Sequence, residues 1–352
     1  MSGGLLIAVV ALAAIGIFKS DRLESFTSRP VGIMGTDCAL KVAVCAGEAE
    51  LARQCLRAAE KALRDMEART SWRLSGSEIA HLNGAPAGKI VPLSPETLAV
   101  LRIAQDAKDQ TGGAFDVTAR PLIELWKASA GQGQLPTAQQ RAAARAASTW
   151  EHIVLGQAGA EKTFATACVD LGGIAKGFAA DRAAEAMMQL GASGGLVAIG
   201  GDIRCFGQRE GKQEGWRIAI RNPFDPSNAP TMLATLRVQA GGVSTSGNYF
   251  RFVEIQGRRY SHIIDPRPGD NCGMTTEAAP SVTVVAPDAV TADYWATALS
   301  VLGPEGLSRL PADGQIQALI VTGNRDEHKL HMTEGFKKLL TDVAGGRDSG
   351  GN

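Results

Sequence analysis

The chain has 352 residues, 45% hydrophobic and 20% charged, which is enough apolar material for a substantial core. Lys+Arg and Asp+Glu both number 36, so the formal net charge is zero and no basic excess points to a nucleic-acid partner. The six cysteines form no CxxC pair, which argues against a zinc site or a disulfide scaffold and for small buried hydrophobes.

In chain order, the first feature is the apolar run Leu5 to Phe18. It has the length of a signal-peptide core and falls short of the about 20 residues of a full span. No Lys or Arg precedes it. Lys19 and Arg22 follow, and by charge they favour a cytoplasmic C-terminal side. No cysteine follows the run directly, so a lipoprotein anchor is excluded. Residues 1–30 are read as an N-terminal membrane anchor or signal segment with a polar linker over 20–30. A buried helix of the domain is the alternative.

Residues 31–342 are read as one domain. Gly32 to Ala46 alternates as a strand, and Glu48 to Arg69 carries Leu51, Cys55, Ala59, Leu63 and Met66 at helical spacing. Loop material around a short helix follows. Ser94 is placed to N-cap a helix from Pro95 to Thr111. Ala128 to Pro136 reads as a loop before a helix over Thr137 to Ala147. The segment "VDLGGIAKGFAAD", Val169 to Asp181, starts as a buried strand, turns at its glycines and continues as a helix to Leu190, with Gly191 as C-cap. Leu196 to Ile199, segments within Val238 to Arg259, Ser281 to Val285 and Ile316 to Val321 read as strands. Thr291 to Leu302 reads as an apolar helix ending at Gly303. Without a steady βαβ repeat, this predicts an α+β fold with mixed sheets and packed helices. Residues 343–352 are read as a disordered tail.

Several segments carry groups with chemistry. A glycine turn at a helix N-terminus is an anion site, and Lys176 adds a point charge; a plain tight turn with a surface lysine is the alternative. Asp170 stands ready to orient a ligand hydroxyl or amino group. Asp293 and Thr297, four apart, share a helix face and suit a hard cation such as Mg²⁺; an ordinary first-turn acid is the competing reading. His262 lies in the strand-to-turn segment "RYSHIIDPRPG". The others are "GVSTSGNYFR", "GGAFDVTARPLIELW" and "AIGGDIRCFG". No Walker loop, GxGxxG, GxSxG, HExxH or EF-hand pattern occurs.

In this order, "IMGTDCALKV", "SWRLSGSEIAHLN", "GGAFDVTARPLIELW", "VDLGGIAKGFAAD", "LVAIGGDIRCFG", "GVSTSGNYFRF", "RYSHIIDPRPG" and "SVTVVAPDAVTADYWATALSVLG" resemble the segments of the FAD:protein FMN transferases, the ApbE family. They span roughly Val31 to Leu310. The resemblance implies an ApbE-like fold and a Mg²⁺-dependent enzyme with FAD as substrate. Such an enzyme moves the FMN half of FAD to a Thr or Ser hydroxyl of a target protein and releases AMP. An FAD pyrophosphatase and a non-catalytic FAD-binding protein are the other readings of the same site. Position by position, the resemblance puts Met34, Trp72, Ala114, Phe115, Asp116, Asp170, Lys176 and Ile264 at FAD-binding positions. It puts Gly173, Asp293 and Thr297 at the metal and His262 at a proton-transfer position. Asp265 or Asp116 is the alternative base. Trp72 stands where a Tyr is usual, Asn248 where an Asp is usual, and Ala296 where some members carry an acid. The resemblance further implies an acceptor flavoprotein of a respiratory or redox membrane system. It also implies an inner-membrane location, N-terminally anchored and facing the periplasm, against the charge reading of Lys19 and Arg22.

Overall fold

A computed structural model describes residues 22–211, 215–225, 227, 231–247, 252–261, 264–267 and 279–343. The apolar run Leu5 to Phe18, Asn248, His262, Cys272 and the tail from 344 onward lie outside the described residues.

Eight strands form the main sheet. They are β1 (Leu23–Ser28), β2 (Cys38–Cys45), β6 (Gly194–Ile199), β7 (Asp202–Gly207), β10 (Gly241–Gly247), β13 (Ser281–Ala286), β14 (Gln317–Gly323) and β15 (His328–Met332), in that spatial order. Each pairing between them is antiparallel. Both faces are covered, and period-two alternation divides the side chains between them. Val282, Val284, Ala318 and Ile320 join the core beneath the helices; Val285, Leu319 and Val321 point to the opposite layer. All residues of β13 are buried, as expected of a strand packed on both sides.

The helical layer consists chiefly of α1 (Ala49–Thr70), α6 (Ala175–Gln189) and α7 (Ala289–Leu302). Of the stripe anticipated for α1, Cys55, Ala59, Leu63 and Met66 are buried, while Leu51 is half-buried and its neighbour Ala52 is buried in its place. Removing a side chain the size of Leu63 from water contributes about 1.5–3 kcal/mol. The opposite layer is a three-stranded sheet of β8 (Trp216–Arg221), β9 (Met232–Val238) and β16 (Leu340–Val343), closed by α8 (Glu334–Leu339). A smaller sheet, β3 (Val91–Pro92), β5 (Gly159–Lys162) and β4 (Ile153–Leu155), lies near α2 (Glu78–Gly84). Among the described residues the remaining α-helices and strands are α3 (Pro95–Gln110), α4 (Arg120–Gln132), α5 (Ala138–Ala147) and the hairpin β11 (Phe252–Ile255)–β12 (Arg258–Ser261).

The α+β class follows, the caps expected at Ser94 and Gly303 are present, and Thr137, read as the first residue of a helix, is its N-cap. Four local readings change. Residues 23–28, read as linker, are the edge strand β1; a sheet edge tolerates polar residues, and Phe26 still packs on the core. Gly32 to Ala46 is not one strand: β2 begins at Cys38, and Ile33 and Thr36 bridge across a turn. Residues 128–132, read as loop, continue α4 until Gly133 at φ 65° ends it, because Trp126 and Ser129 are buried and hold the last turns. The segment Val169 to Leu171, with Val169 and Leu171 buried and Asp170 half-buried, is no strand. Its backbone bonds go to the Asn83 side chain and to Val117, so burial there does not mean a ladder.

Candidate functional site

The site grows from the contact of α6 with α7, two antiparallel helices lying over adjacent strands. Gly177 lets them meet. A Cβ at Gly177 would lie 2.3 Å from the Ala289 carbonyl oxygen and 2.8 Å from Asp293 Cβ, so no larger residue fits. The Gly177 N–H donates to Asp293 Oδ2 at 3.0 Å. One turn earlier, a Cβ at Gly173 would lie 3.1 Å from Thr297 Oγ1 and 3.2 Å from the Phe115 ring. Helical spacing on α7 therefore places Asp293 and Thr297 against Gly177 and Gly173 in turn.

Lys176 joins this contact to the sheet. Its Nζ lies 2.5 Å from Asp202 Oδ2 and 3.6 Å from Asp293 Oδ2. Asp202 opens β7, is 3% exposed, and accepts a hydrogen bond from Ser244 Oγ of β10 at 2.5 Å. Desolvation works against the Lys176 ammonium, but Asp202 and then Asp293 outweigh it and hold its pKa well above the usual lysine range. Burial pushes the Asp293 carboxyl up and Asp202 adds to this; Lys176 and the Gly177 N–H pull the other way. One ammonium thus serves two carboxylates, leaving the group with a net negative charge that suits a further cation.

The loop after α3 forms the next wall. Phe115 stands 5.9 Å from Tyr294 of α7, centroid to centroid, and its N–H donates to Thr111 Oγ1. Asp116 takes the Thr118 N–H at 2.8 Å and its hydroxyl at 2.6 Å, while burial pushes its pKa up. The Asp170 N–H donates to the Val117 carbonyl, tying this loop to the glycine turn, and Asp170 Oδ1 accepts from the Gly172 N–H. Beside Asp116 lies a cavity of about 510 Å³ whose lining includes Lys108, Arg145, Ser148 and Arg267. Ser148 Oγ is buried there with no hydrogen-bond partner among the described residues. Such a hydroxyl is costly unless something else binds it.

The remaining sequence candidates are less tightly drawn in. Ala114 is buried beside Phe115. Met34 has φ 49° in the turn whose residues Thr36 and Asp37 abut Gly200, two residues before Asp202. Left-handed backbone in a side-chain-bearing residue is costly and clusters at functional sites. Trp72 carries the Arg120 guanidinium 3.4 Å and the Arg73 guanidinium 4.3 Å from its ring centre. Ile264 is buried in a separate small cluster with Leu122 and Trp126 of α4. Both oxygens of Asp265 are engaged by Arg267, at 2.8 and 2.7 Å. Lys176, Gly173, Asp293 and Thr297 are thus brought together. Asp202 and Ser244 join them without having been singled out as site residues. The signal for Asp202 was an acid at the head of an apolar strand, directly after paired glycines.

Among the described residues no three His, Cys, Asp or Glu side chains converge. The side-chain oxygens at this contact are the buried Asp293 carboxylate and the Thr297 hydroxyl, facing a glycine that leaves room. That is a hard, sparse donor set, as expected for Mg²⁺, which keeps waters and shares substrate phosphates.

The comparison with protein families matches residues 34–320 to the ApbE family. The chain belongs to the ApbE family. A curated FAD:protein FMN transferase of Klebsiella pneumoniae (strain 342) is 33% identical over 302 residues, covering 84% of each chain. One of Escherichia coli (strain K12) is 35% identical over 237 residues, covering 66% of each. Among solved structures, the flavin transferase ApbE from Vibrio cholerae superposes with a TM-score of 0.74 at 29% identity, over 90% of this chain and 100% of its own. The apo flavinyl transferase ApbE of Pseudomonas stutzeri gives 0.74 at 28% identity, over 91% and 97%. The α6–α7 contact, the loop of Phe115 and Asp202 all lie inside the part matched to the family.

Proposed function

We propose that the protein is an FAD:protein FMN transferase whose α6–α7 contact holds Mg²⁺ and the FAD pyrophosphate. The observation that carries this reading is the convergence of Gly173, Lys176, Asp202, Asp293 and Thr297 at one glycine-permitted helix contact, in a chain of the ApbE family. Asp293, Thr297 and the Gly173 carbonyl would hold the metal. Bound Mg²⁺ supplies positive charge against the pyrophosphate and against the charge growing on departing AMP.

The chain's own groups do the rest. Lys176, anchored by Asp202, presents a fixed ammonium to phosphate oxygens without having to be ordered at the moment of binding. Trp72 offers an aromatic face to the flavin, shared with Arg120. The adenylate end fits the cavity beside Asp116, where a carboxylate, the buried Ser148 hydroxyl and three cationic side chains would meet hydroxyls and phosphate. The acceptor Thr or Ser oxygen attacks the phosphorus on the FMN side. A new O–P ester bond forms, the bond from that phosphorus to the bridging oxygen breaks, and AMP leaves with the bridging oxygen. The hydroxyl proton goes to a neutral His262, a general-base contribution of about 10²–10⁴-fold. Asp116 remains the alternative acceptor.

The target is a protein carrying a Thr or Ser flavinylation site, in our reading a membrane redox protein. Among the described residues no helix is long and apolar enough to cross a membrane. Leu5 to Phe18 is the segment we assign to anchoring at the inner membrane, with the enzyme on the periplasmic side. Protection of the chain from protease added to intact spheroplasts would reject that side.

Intact-mass spectrometry of a Thr/Ser-bearing acceptor domain, incubated with this protein, FAD and Mg²⁺, tests the activity. The acceptor should gain one FMN mass with one AMP released per transfer. No gain on any acceptor rejects the transferase. Free FMN and AMP without acceptor would make it a pyrophosphatase, and bound FAD without AMP a storage protein. In Asp293→Ala, Mg²⁺-dependent AMP release should vanish; unchanged release at limiting Mg²⁺ rejects the metal assignment.

A further inference from the structure

Asp181 closes the segment that supplies Gly173, Lys176 and Gly177, yet it lies a full turn beyond them and touches none of the groups assigned to FAD or metal. Both of its oxygens are used. Oδ1 accepts the Ala289 N–H and Oδ2 the Val290 N–H, each at 2.9 Å. These are the first two N–H groups of α7, which have no partner within their own helix. The helix already has an N-cap of the ordinary kind, since Asp288 Oδ1 accepts from the Thr291 N–H at 2.8 Å. Asp181 is thus a second cap, supplied from another helix. Arg204 of β7 braces it, with Nε 3.2 Å from Asp181 Oδ1 and a further hydrogen bond to the Pro287 carbonyl.

The spacing gives this cap its meaning. Gly173, Gly177 and Asp181 follow at intervals of four along one chain segment; Thr297, Asp293 and Ala289 follow at intervals of four, in reverse, along α7. Gly173 and Gly177 permit close approach but have no side chain to fix how far one helix slides along the other. Asp181 supplies two directed bonds at the end of the row. A slip of one turn, about 5.4 Å, would carry Thr297 away from Gly173 and Asp293 away from the Gly177 N–H.

We propose that Asp181 is a positioning residue that sets the axial register of α6 against α7, and through it the spacing of the Gly173, Asp293 and Thr297 donors. This rests on the metal reading given above. The test uses the full chain, Mn²⁺ as the probe ion and three variants. Asp181→Asn should bind Mn²⁺ about 10- to 100-fold more weakly, as when a supporting partner of a metal ligand is lost. Its turnover should return toward the wild-type kcat as Mg²⁺ is raised. Asp288→Ala removes the ordinary cap and should lower the melting temperature while leaving Mn²⁺ affinity unchanged. Asp181→Glu keeps charge and hydrogen-bonding capacity but is one methylene longer, so it should also weaken Mn²⁺, and it serves if Asp181→Asn does not fold. Unchanged Mn²⁺ affinity at position 181, or equal losses in the 181 and 288 variants, overturns the inference. A wild type that binds no Mn²⁺ rejects the metal reading instead. The register is then decided by hydrogen exchange at the Ala289 and Val290 amides, which should open in Asp181→Asn and stay protected in Asp288→Ala; amides protected in both overturn it.

Discussion

Where α6 meets α7, backbone touches backbone; a few residues away, beside Asp116, side chains stand around open space. The first region is closed at Gly177. Gly177 sits against the Ala289 carbonyl, and the only charged side chain on α7 within the contact, Asp293, is 2% exposed. The second is a cavity of about 510 Å³, with cationic side chains at its margin and in its wall the Ser148 hydroxyl, which has no partner among the described residues. The difference separates two tasks. Groups that must hold a small ion and a reacting phosphate are fixed by packing, which leaves them one arrangement. Groups that only grip a remote part of a substrate can be set around a space and changed with graded effect.

The helix contact breaks most easily at its tightest point. Gly177→Ala puts a methyl group 2.3 Å from a backbone oxygen and 2.7 Å from the carbonyl carbon, and neither can move without shifting α7. A loss of about 3 kcal/mol or more is expected in urea denaturation, at the upper end for an overpacked core. AMP release should fall to background with it. Wild-type stability and turnover in this variant would mean that the glycine is a convenience and the helices are held apart by other contacts.

A smaller effect separates the two regions by pH. Burial pushes Asp181 up to about 6, with Asp288 adding to the shift, while the Ala289 and Val290 N–H groups and Arg204 oppose it. Its folded pKa is above its unfolded value, so the native state binds the proton more tightly. The stability contributed by this protonation is fully present below the unfolded value, about 3.9, and is lost as pH rises through about 6. Wild type should therefore lose stability relative to Asp181→Asn between pH 4 and 6, read from denaturation midpoints. Asp116 and Asp293, raised by burial as well, have the same sign in both proteins and cancel from the difference. A difference that is flat with pH would mean that Asp181 is not desolvated enough to titrate there.

The helix contact was largely legible in the sequence and the cavity was not. Asp293 and Thr297 share a helix face by spacing alone, and Gly173 and Lys176 lie in one short segment. What spacing could not supply was the partner across the gap. Asp202 reaches Lys176 only because β7 lies beside β6 beneath α6. Asp181 looked like any acid in a helix until α7 was laid against it. The cavity draws on the end of α3 with the loop at Asp116, on α5 and the residues after it, and on the turn at Arg267; the Asp116 and Arg267 segments carry motifs, but nothing in the sequence marks α5 and Ser148 as their partners. Local readings failed where tertiary contacts replaced a local rule. Val169 is buried without a ladder, β1 is polar because it is an edge, and α4 runs through a stretch that composition marked as loop.

The cavity is tested by changes that leave the helix contact alone. Ser148 Oγ is buried with no hydrogen-bond partner among the described residues, so Ser148→Ala should hold or slightly raise the stability of the protein without FAD added. If the adenylate end binds there, the same change removes one hydrogen bond from the complex. At about 0.5–1.5 kcal/mol for such a bond, KM for FAD should rise roughly 2- to 12-fold. The reacting phosphorus lies at the helix contact, so kcat should not change, as for lost binding that is uniform between ground and transition states. Arg145→Ala should act in the same direction with a loss that shrinks at high salt, because Arg145 is exposed and its charge is screened. Opposite signs for stability and affinity in one variant are hard to produce by general disturbance of the fold. An unchanged KM in Ser148→Ala and Arg145→Ala together would place the adenylate elsewhere; a fall in kcat would show that the two regions are not independent and that the space beside Asp116 reaches the reacting atoms.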